Sequence, residues 1–267
     1  MKLGLLTFNM AAEWTLDEIV EKCLDLGFEG VEFRTQREHA HGVEIALSEA
    51  QRSGVRRKFE DAGLAICGIS TGCAFDYLDA DQLEANVEEA RAHLDLAADL
   101  DAGGVKVYGN KAHVDEGVPR EDTIRQIGAA LGDLSQYAES LGVVVRFEMH
   151  GDFTSPEDCN AIMEIAGDGP GICLIYNCNN RFDVDENGSI ESSYRAVADR
   201  VGHVHVHDLA DPEFPYLELV RLLKADDYDG WCTGELPDSP DRERVLQYFV
   251  ALWRAYETIV ELEQQGG

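Results

Sequence analysis

Segments with a helical period of apolar residues alternate with short β-rich runs along the whole chain. Several helical segments end in a glycine-containing turn that leads at once into an apolar run, as in DLGFEGVEFR at residues 25–34 and DAGGVKVYG at residues 101–109. Glycine directly after a helix takes the left-handed C-cap conformation, which redirects the chain. Each such turn therefore predicts a connection from a helix to a strand.

The expected helix starts agree with this alternation. TLDE at residues 15–18 and SEAQ at residues 48–51 match the capping box, in which the first and fourth residues satisfy each other's backbone N–H groups. Ser155 and Ser239 are each followed by proline, a residue that favours the first helical position. Both serines are therefore predicted to be N-caps.

Eight strands are predicted in this way, near residues 3–8, 31–34, 64–70, 104–108, 143–148, 172–177, 202–206 and 231–235. Eight strands alternating with helices in about 250 residues predict a closed (β/α)8 TIM barrel. No composition change marks a boundary, so residues 1–267 are predicted to form a single domain. A doubly wound open sheet is the alternative, but the Gly-rich phosphate turn that it carries after its first strand is missing.

The net charge of the chain limits the classes of partner that it can bind. With a formal net charge of -30, the surface repels nucleic acid and anionic membranes. The acidic residues are spread over the predicted helices and lysine is scarce beside arginine, a pattern typical of halophilic proteins.

Neither a signal peptide nor an apolar run of about 20 residues occurs, which predicts a cytoplasmic protein. The seven cysteines contain no CxxC pair and are predicted to be buried, reduced thiols.

The predicted strands carry polar residues where a parallel sheet covered on both faces should be apolar. Because side chains alternate between faces, these residues point into the barrel. On β-strand two they are Glu32 and Arg34, on strand four Lys106, on strand five Arg146, Glu148 and His150, on strand six Asn177, on strand seven His203, His205 and His207, and on strand eight Glu235. Active sites of TIM barrels lie at the carboxyl ends of the strands, where Glu148, His205 and Glu235 are predicted.

The polar residues expected deeper in the barrel can also be explained by a structural role. Glu32, Arg34, Lys106 and Arg146 could neutralise one another as a buried network, because an unpaired buried charge is costly. Arg34 and Lys106 could equally well belong to this network or contact a ligand. For Arg146, a place in the network is favoured. His203 is expected to be a core residue. At the strand ends, two carboxylates and an imidazole are suitable ligands for a divalent metal. The carboxylate oxygens favour Mg or Mn, and the imidazole also allows Zn or Co.

Four motifs together resemble the xylose-isomerase-like superfamily of sugar isomerases and epimerases. They are GFEGVEFR at residues 27–34, FEMHGD at 147–152, VHVHD at 204–208 and YDGWCTGE at 228–235. The resemblance implies a TIM barrel in which one divalent metal is held by Glu148, Asn177, His205 and Glu235, with the two glutamates as acid and base. Asn177 stands where the family has aspartate, so the ligand charge falls from about -3 to -2 and weaker metal binding is expected.

This resemblance also implies an activity. The leading hypothesis is isomerisation or epimerisation of a small sugar through an enediolate, with His150, Asn180, Arg34, Lys106 and His207 binding the substrate. The alternatives are a dehydratase of an inosose or dehydroshikimate type, which would expel a hydroxyl from the same enediolate, and a sugar-binding relic with a weakened metal site. The superfamily includes multi-zinc endonucleases, which the acidic surface disfavours. Relatives often dimerise, which implies a homo-oligomer.

Overall fold

A computed structural model describes residues 1–266, apart from the side chains of Asn180 and Arg181. Eight parallel strands follow one another in chain order, and the first pairs with the eighth to close a barrel. The strands are β1 Lys2–Leu6, β2 Gly30–Arg34, β3 Ala65–Ala74, β4 Gly104–Tyr108, β5 Val144–Glu148, β6 Ile172–Asn177, β7 Val201–Val206 and β8 Trp231–Gly234. The predicted (β/α)8 barrel is thus confirmed.

Helices surround the barrel and connect its strands. They are α1 Leu16–Leu26, α2 Glu49–Ala62, α3 Ala80–Leu100, α4 Arg120–Leu141, α5 Pro156–Ala166, α6 Asn180–Asp183, α7 Glu191–Arg195, α8 Tyr216–Ala225 and α9 Arg242–Gly266. Short 3-10 turns occupy Val114–Glu116 and Ala198–Arg200. Within residues 1–266 no helix is both long and apolar enough to cross a membrane.

The helix caps follow the sequence at three of the four predicted starts. Thr15 and Ser48 form complete capping boxes, and Ser155 caps α5 with proline after it. The prediction for Ser239 is wrong, because α9 begins only at Arg242. The Ser239 hydroxyl instead accepts the N–H of Asp241 in the turn before the helix.

The hydrophobic core lies between the strands and the helices. Outward-facing strand residues such as Val31, Phe33 and Phe147 are fully buried against the helix layer, while α9 contributes the buried Trp253. The seven cysteines, all within the described residues, are free thiols, six of them buried. Because the core occupies the outer layer, the interior of the barrel can hold polar side chains.

Arg146 fills the lower part of the barrel interior, and three glycines make room for it. A Cβ atom at Gly68 or Gly103 would lie 2.8 or 2.6 Å from a guanidinium nitrogen, and one at Gly104 would lie 2.7 Å from Nε. Real Cβ atoms are not found so close to other atoms, so any larger residue would displace the arginine. The position of the guanidinium thus favours glycine at these positions, and at Gly104 the Val144 carbonyl oxygen, 2.3 Å from such a Cβ, leaves no room for a side chain.

We expect the stability of the fold to decrease in mild acid because of His41. Its Nδ1 accepts the N–H of Val43 at 3.0 Å, and Nε2 lies 3.4 Å from the Thr7 hydroxyl. Burial, followed by His39, lowers the pKa of His41 to about 3. The unfolded ring titrates near 6.5, so this contribution is complete above that pH and is lost as pH falls toward the folded pKa. At pH 5 the free energy of unfolding should be about 2 kcal/mol lower than at pH 8 through this residue.

Urea unfolding of the wild type and of His41→Asn at pH 8 and pH 5 measures this contribution. Asparagine can still accept the Val43 N–H but does not titrate, so the variant should show a smaller difference between the two pH values. An equal difference in both proteins would contradict the assignment to His41.

Candidate active site

Glu148, His205 and Glu235 meet at the carboxyl end of the barrel. Glu148 ends β5, His205 lies near the end of β7, and Glu235 directly follows β8. Nδ1 of His205 lies 2.7 Å from Glu148 Oε1 and 3.5 Å from Glu235 Oε2. The first two residues are buried, whereas the Glu235 side chain is 21% exposed. The structure therefore brings together the three residues that strand alternation singled out, with Glu235 on the solvent side.

The geometry of this cluster suits one divalent ion. One ligand atom from each of the three residues lies within 4.8 Å of the others. Atoms that bind a common ion at about 2.1 Å lie about 3.0–3.4 Å apart, close to the two distances measured from the His205 Nδ1. Two carboxylates and one imidazole are ligands that Mn²⁺, Co²⁺ and Zn²⁺ accept, and the oxygens also suit Mg²⁺. These residues fit a bound metal.

Lys106 holds the second oxygen of Glu148. Its Nζ lies 2.7 Å from Glu148 Oε2, and the ammonium also sits 4.1 Å above the centre of the Tyr108 ring. Burial alone would raise the pKa of Glu148, but Lys106 and then His205 hold this pKa well below its usual range. Glu148 is therefore an ionised carboxylate with one oxygen tied to Lys106 and the other directed at His205.

Asn177 lies beside His205 in the register of β6 and β7 and is buried. Its Oδ1 is 2.7 Å from Nε2 of His207, whose Nδ1 is 3.1 Å from the backbone carbonyl of Glu235. An amide oxygen has two lone pairs, so the contact with His207 leaves one of them available. His207 thus links the sixth strand to the eighth and holds the Asn177 side chain at the mouth of the barrel.

Arg34 and His150 lie around the same opening. The Arg34 guanidinium donates to the carbonyl oxygens of Thr35 and Ser70 at 2.8 and 3.1 Å. Burial, then the Arg37 charge, lowers the pKa of Arg34. The His150 ring packs edge-on against Tyr108 with 4.8 Å between centroids, and its buried Nδ1 has no hydrogen-bond partner among the described residues. The side chain of Asn180, the remaining predicted substrate contact, lies outside the described residues.

Below this cluster, Glu32 and His203 form a second group with His205. The Arg146 guanidinium donates to His203 Nδ1 at 3.0 Å, so the proton of this ring is on Nε2, 2.9 Å from Glu32 Oε2. Burial and Arg146 lower the pKa of His203 to about 4, which keeps the ring neutral. Both nitrogens of His203 are therefore occupied, and the positive charge of the Arg146 guanidinium beside the ring disfavours a divalent ion in this group.

The buried charges are compensated, but not in the pairs that the sequence predicted. Glu32 contacts His203 and His205, whereas Lys106 pairs with Glu148. Burial alone would raise the pKa of Glu32, but His205 and His203 hold it well below its usual range. Burial opposes the protonated form of His205 as well, yet the Glu32 charge and the hydrogen bonds that the ring donates to Glu148 and Glu32 raise the pKa of His205 to about 10. Arg146 and His203 are structural here, in agreement with the sequence.

Two features of the site were not predicted from the sequence. Tyr108 ends β4 on the face that carries Lys106, and the alternation of VKVY at residues 105–108 would have placed it in the barrel. The direct contact between Glu32 and His205 Nε2, at 3.2 Å, could not be read from the sequence. It joins β2 to β7, two strands that are not neighbours in the barrel.

The fold is similar to those of solved sugar epimerases. An L-ribulose 3-epimerase superposes with a TM-score of 0.81 at 18% identity, covering 99% of this chain and 97% of the other. A D-psicose 3-epimerase crystallised with D-fructose gives 0.77 at 17% identity, covering 96% and 99%. A 3-keto-D-glucoside 4-epimerase from E. coli gives 0.77 at 16% identity, also covering 96% and 99%. At these identities the likeness establishes the fold alone.

Comparison at the level of sequence families establishes more. Among curated proteins none matches this sequence. The model of a family described as xylose isomerase-like TIM barrel, in contrast, matches residues 20–256. That range begins within α1 and ends within α9, so it contains seven of the eight strands and every residue of the cluster at the barrel mouth. The chain belongs to the xylose isomerase-like TIM-barrel family.

Proposed function

We propose that this protein is a divalent-metal-dependent epimerase or isomerase of a small sugar or sugar derivative. The observation that carries the proposal is the pair of carboxylates, Glu148 and Glu235, that approach one imidazole nitrogen from two strands on different sides of the barrel. Inversion of a carbon beside a carbonyl requires that a proton leave one face and return to the other. Two carboxylates on separate strands can perform these two transfers.

The two proton transfers are assigned to different glutamates. Glu148 is ionised beside Lys106 and can accept a proton from the carbon next to the substrate carbonyl. Glu235, nearer the solvent, can deliver a proton to the opposite face. A divalent ion held by Glu148, Asn177, His205 and Glu235 would supply Lewis-acid stabilisation of negative charge on the substrate oxygens.

The remaining polar groups at the mouth are suited to orienting a polyhydroxylated substrate. We propose that Arg34, Lys106, His150, His207 and Asn180 bind its hydroxyl groups. For His150 the support is a buried, unpartnered Nδ1, which can bond a hydroxyl at little cost. For Lys106 and His207 it is their direct contacts with Glu148 and Asn177. The similar L-ribulose and D-psicose 3-epimerases are named for ketoses, which favours the same class of substrate here.

Hydrogen exchange at carbon tests the proposal. The purified protein is incubated with Mn²⁺ in deuterated water and a panel of ketopentoses, ketohexoses and inososes, and NMR follows deuterium entry. We expect one carbon beside the carbonyl of one substrate to exchange, with appearance of its epimer or isomer, and no exchange after chelation. Absence of exchange with every sugar would contradict the proposal. An ultraviolet-absorbing enone product would show a dehydratase instead.

A further inference from the structure

The imidazole of His205 is held from below by a carboxylate that is not in the metal cluster. Its Nε2 lies 3.2 Å from Oε2 and 3.4 Å from Oε1 of Glu32, while Nδ1 faces Glu148 and Glu235. Both His205 and Glu32 are completely buried. The two ring nitrogens therefore have different tasks, one toward the barrel interior and one toward the mouth.

The hydrogen atoms in this network have only one consistent arrangement. Arg146 can only donate, so His203 Nδ1 accepts and His203 Nε2 donates to Glu32. The Thr233 hydroxyl also donates to Glu32 Oε2, at 2.8 Å. Because Glu32 is a carboxylate that can only accept, the proton of His205 on this side is on Nε2. The Nδ1 lone pair then points at the mouth once an ion is bound there.

The position of Glu32 is itself fixed from several directions. Its Oε2 receives donors from His203 and Thr233, and these residues lie on the neighbouring strands β7 and β8. Arg146 in turn is anchored by the carbonyl of Cys67 at 2.9 Å. A carboxylate held in this way has no freedom to follow the imidazole, so it sets the orientation of the ring.

We infer that Glu32 is a positioning residue of the metal centre, which fixes the tautomer and orientation of His205 so that Nδ1 binds the ion. This inference rests on the proposed metal-dependent function and extends it to a residue below the site. Carboxylates that accept the second N–H of a ligand histidine typically change metal affinity about 10- to 100-fold when removed. Glu32→Gln keeps the size of the side chain but removes its charge and places an NH2 group against one of the two rings.

The test measures Mn²⁺ binding by calorimetry for the wild type and Glu32→Gln. We expect the dissociation constant to rise about 10- to 100-fold in the variant. The matched control is His93→Gln, because His93 is equally buried and is hydrogen-bonded to Thr35 and the Glu89 carbonyl, away from the cluster. The control should lose stability and keep its Mn²⁺ affinity. Unchanged affinity in Glu32→Gln would show that Glu32 has a structural role only.

A second measurement does not depend on any variant folding. Long-range proton–nitrogen NMR of the Zn²⁺-loaded wild type reports which nitrogen of His205 binds the ion. Zinc on Nδ1 with a proton on Nε2 supports the inference, and zinc on Nε2 overturns it. If the wild type binds neither Mn²⁺ nor Zn²⁺, both the positioning role and the metal-dependent function are wrong. Metal binding combined with unaltered affinity in Glu32→Gln is evidence against the positioning role alone.

Discussion

Glu148→Gln and Glu235→Gln are each expected to lower the rate of proton exchange at the substrate carbon by about 10²- to 10⁴-fold. Glutamine retains an oxygen at each position but cannot accept or deliver the proton. The two effects should differ in kind, because Glu148 is tied to Lys106 and His205 whereas Glu235 is partly exposed. We expect Glu148→Gln to weaken Mn²⁺ binding more than Glu235→Gln.

Exchange rates in these variants should be measured at several Mn²⁺ concentrations, so that loss of the ion is separated from loss of the carboxylate. Glu84→Gln provides a control on the exposed face of α3, and it should exchange at the wild-type rate. If either active-site variant retained full exchange at saturating Mn²⁺, its glutamate would not be an acid or base of the reaction.

Asn177→Asp is expected to tighten Mn²⁺ binding by on the order of tenfold or more, because a carboxylate close to a divalent ion replaces a neutral amide. The contact with His207 Nε2 at 2.7 Å would hold the new carboxylate in the place of the amide. Calorimetric titration of both proteins at the same ionic strength measures the change. A wild type without detectable binding beside a variant that binds would favour the sugar-binding relic over an active enzyme.

The added charge itself requires a control, since the chain already has a net charge of -30. Asn187→Asp makes the same change in an exposed turn and should leave the Mn²⁺ affinity unaltered. An affinity that is also unchanged in Asn177→Asp would mean that residue 177 does not touch the ion.

Much of the fold could be predicted because local signals repeat. Glycine caps and polar alternation place each strand to within a few residues, with β3 continuing to Ala74 as the main difference. Alternation also selects Glu148, His205 and Glu235, since the ends of parallel strands meet at one rim. The extent of the domain, the oligomeric state and the adaptation to salt stay predictions.

The contacts inside the barrel could not be predicted because they depend on the stagger of the strands. Register shifts between Leu174 and Ile175 and between Ser70 and Ala74 have no signature in the sequence. The residue below His205 depends on this stagger, so Glu32 could be identified as interior but not as the partner of His205. Family resemblance, in turn, identified Asn177 as a departure but could not reveal the bond from His207.

The glycines around Arg146 bear on how this barrel can be altered by mutation. Loops at the mouth of a TIM barrel usually tolerate change, and its opposite end is usually regarded as important for stability alone. Here a side chain at position 68, 103 or 104 would push on Arg146, which contacts His203, which contacts Glu32 and then His205. Libraries made to evolve new substrates should therefore vary the loops and spare these three positions.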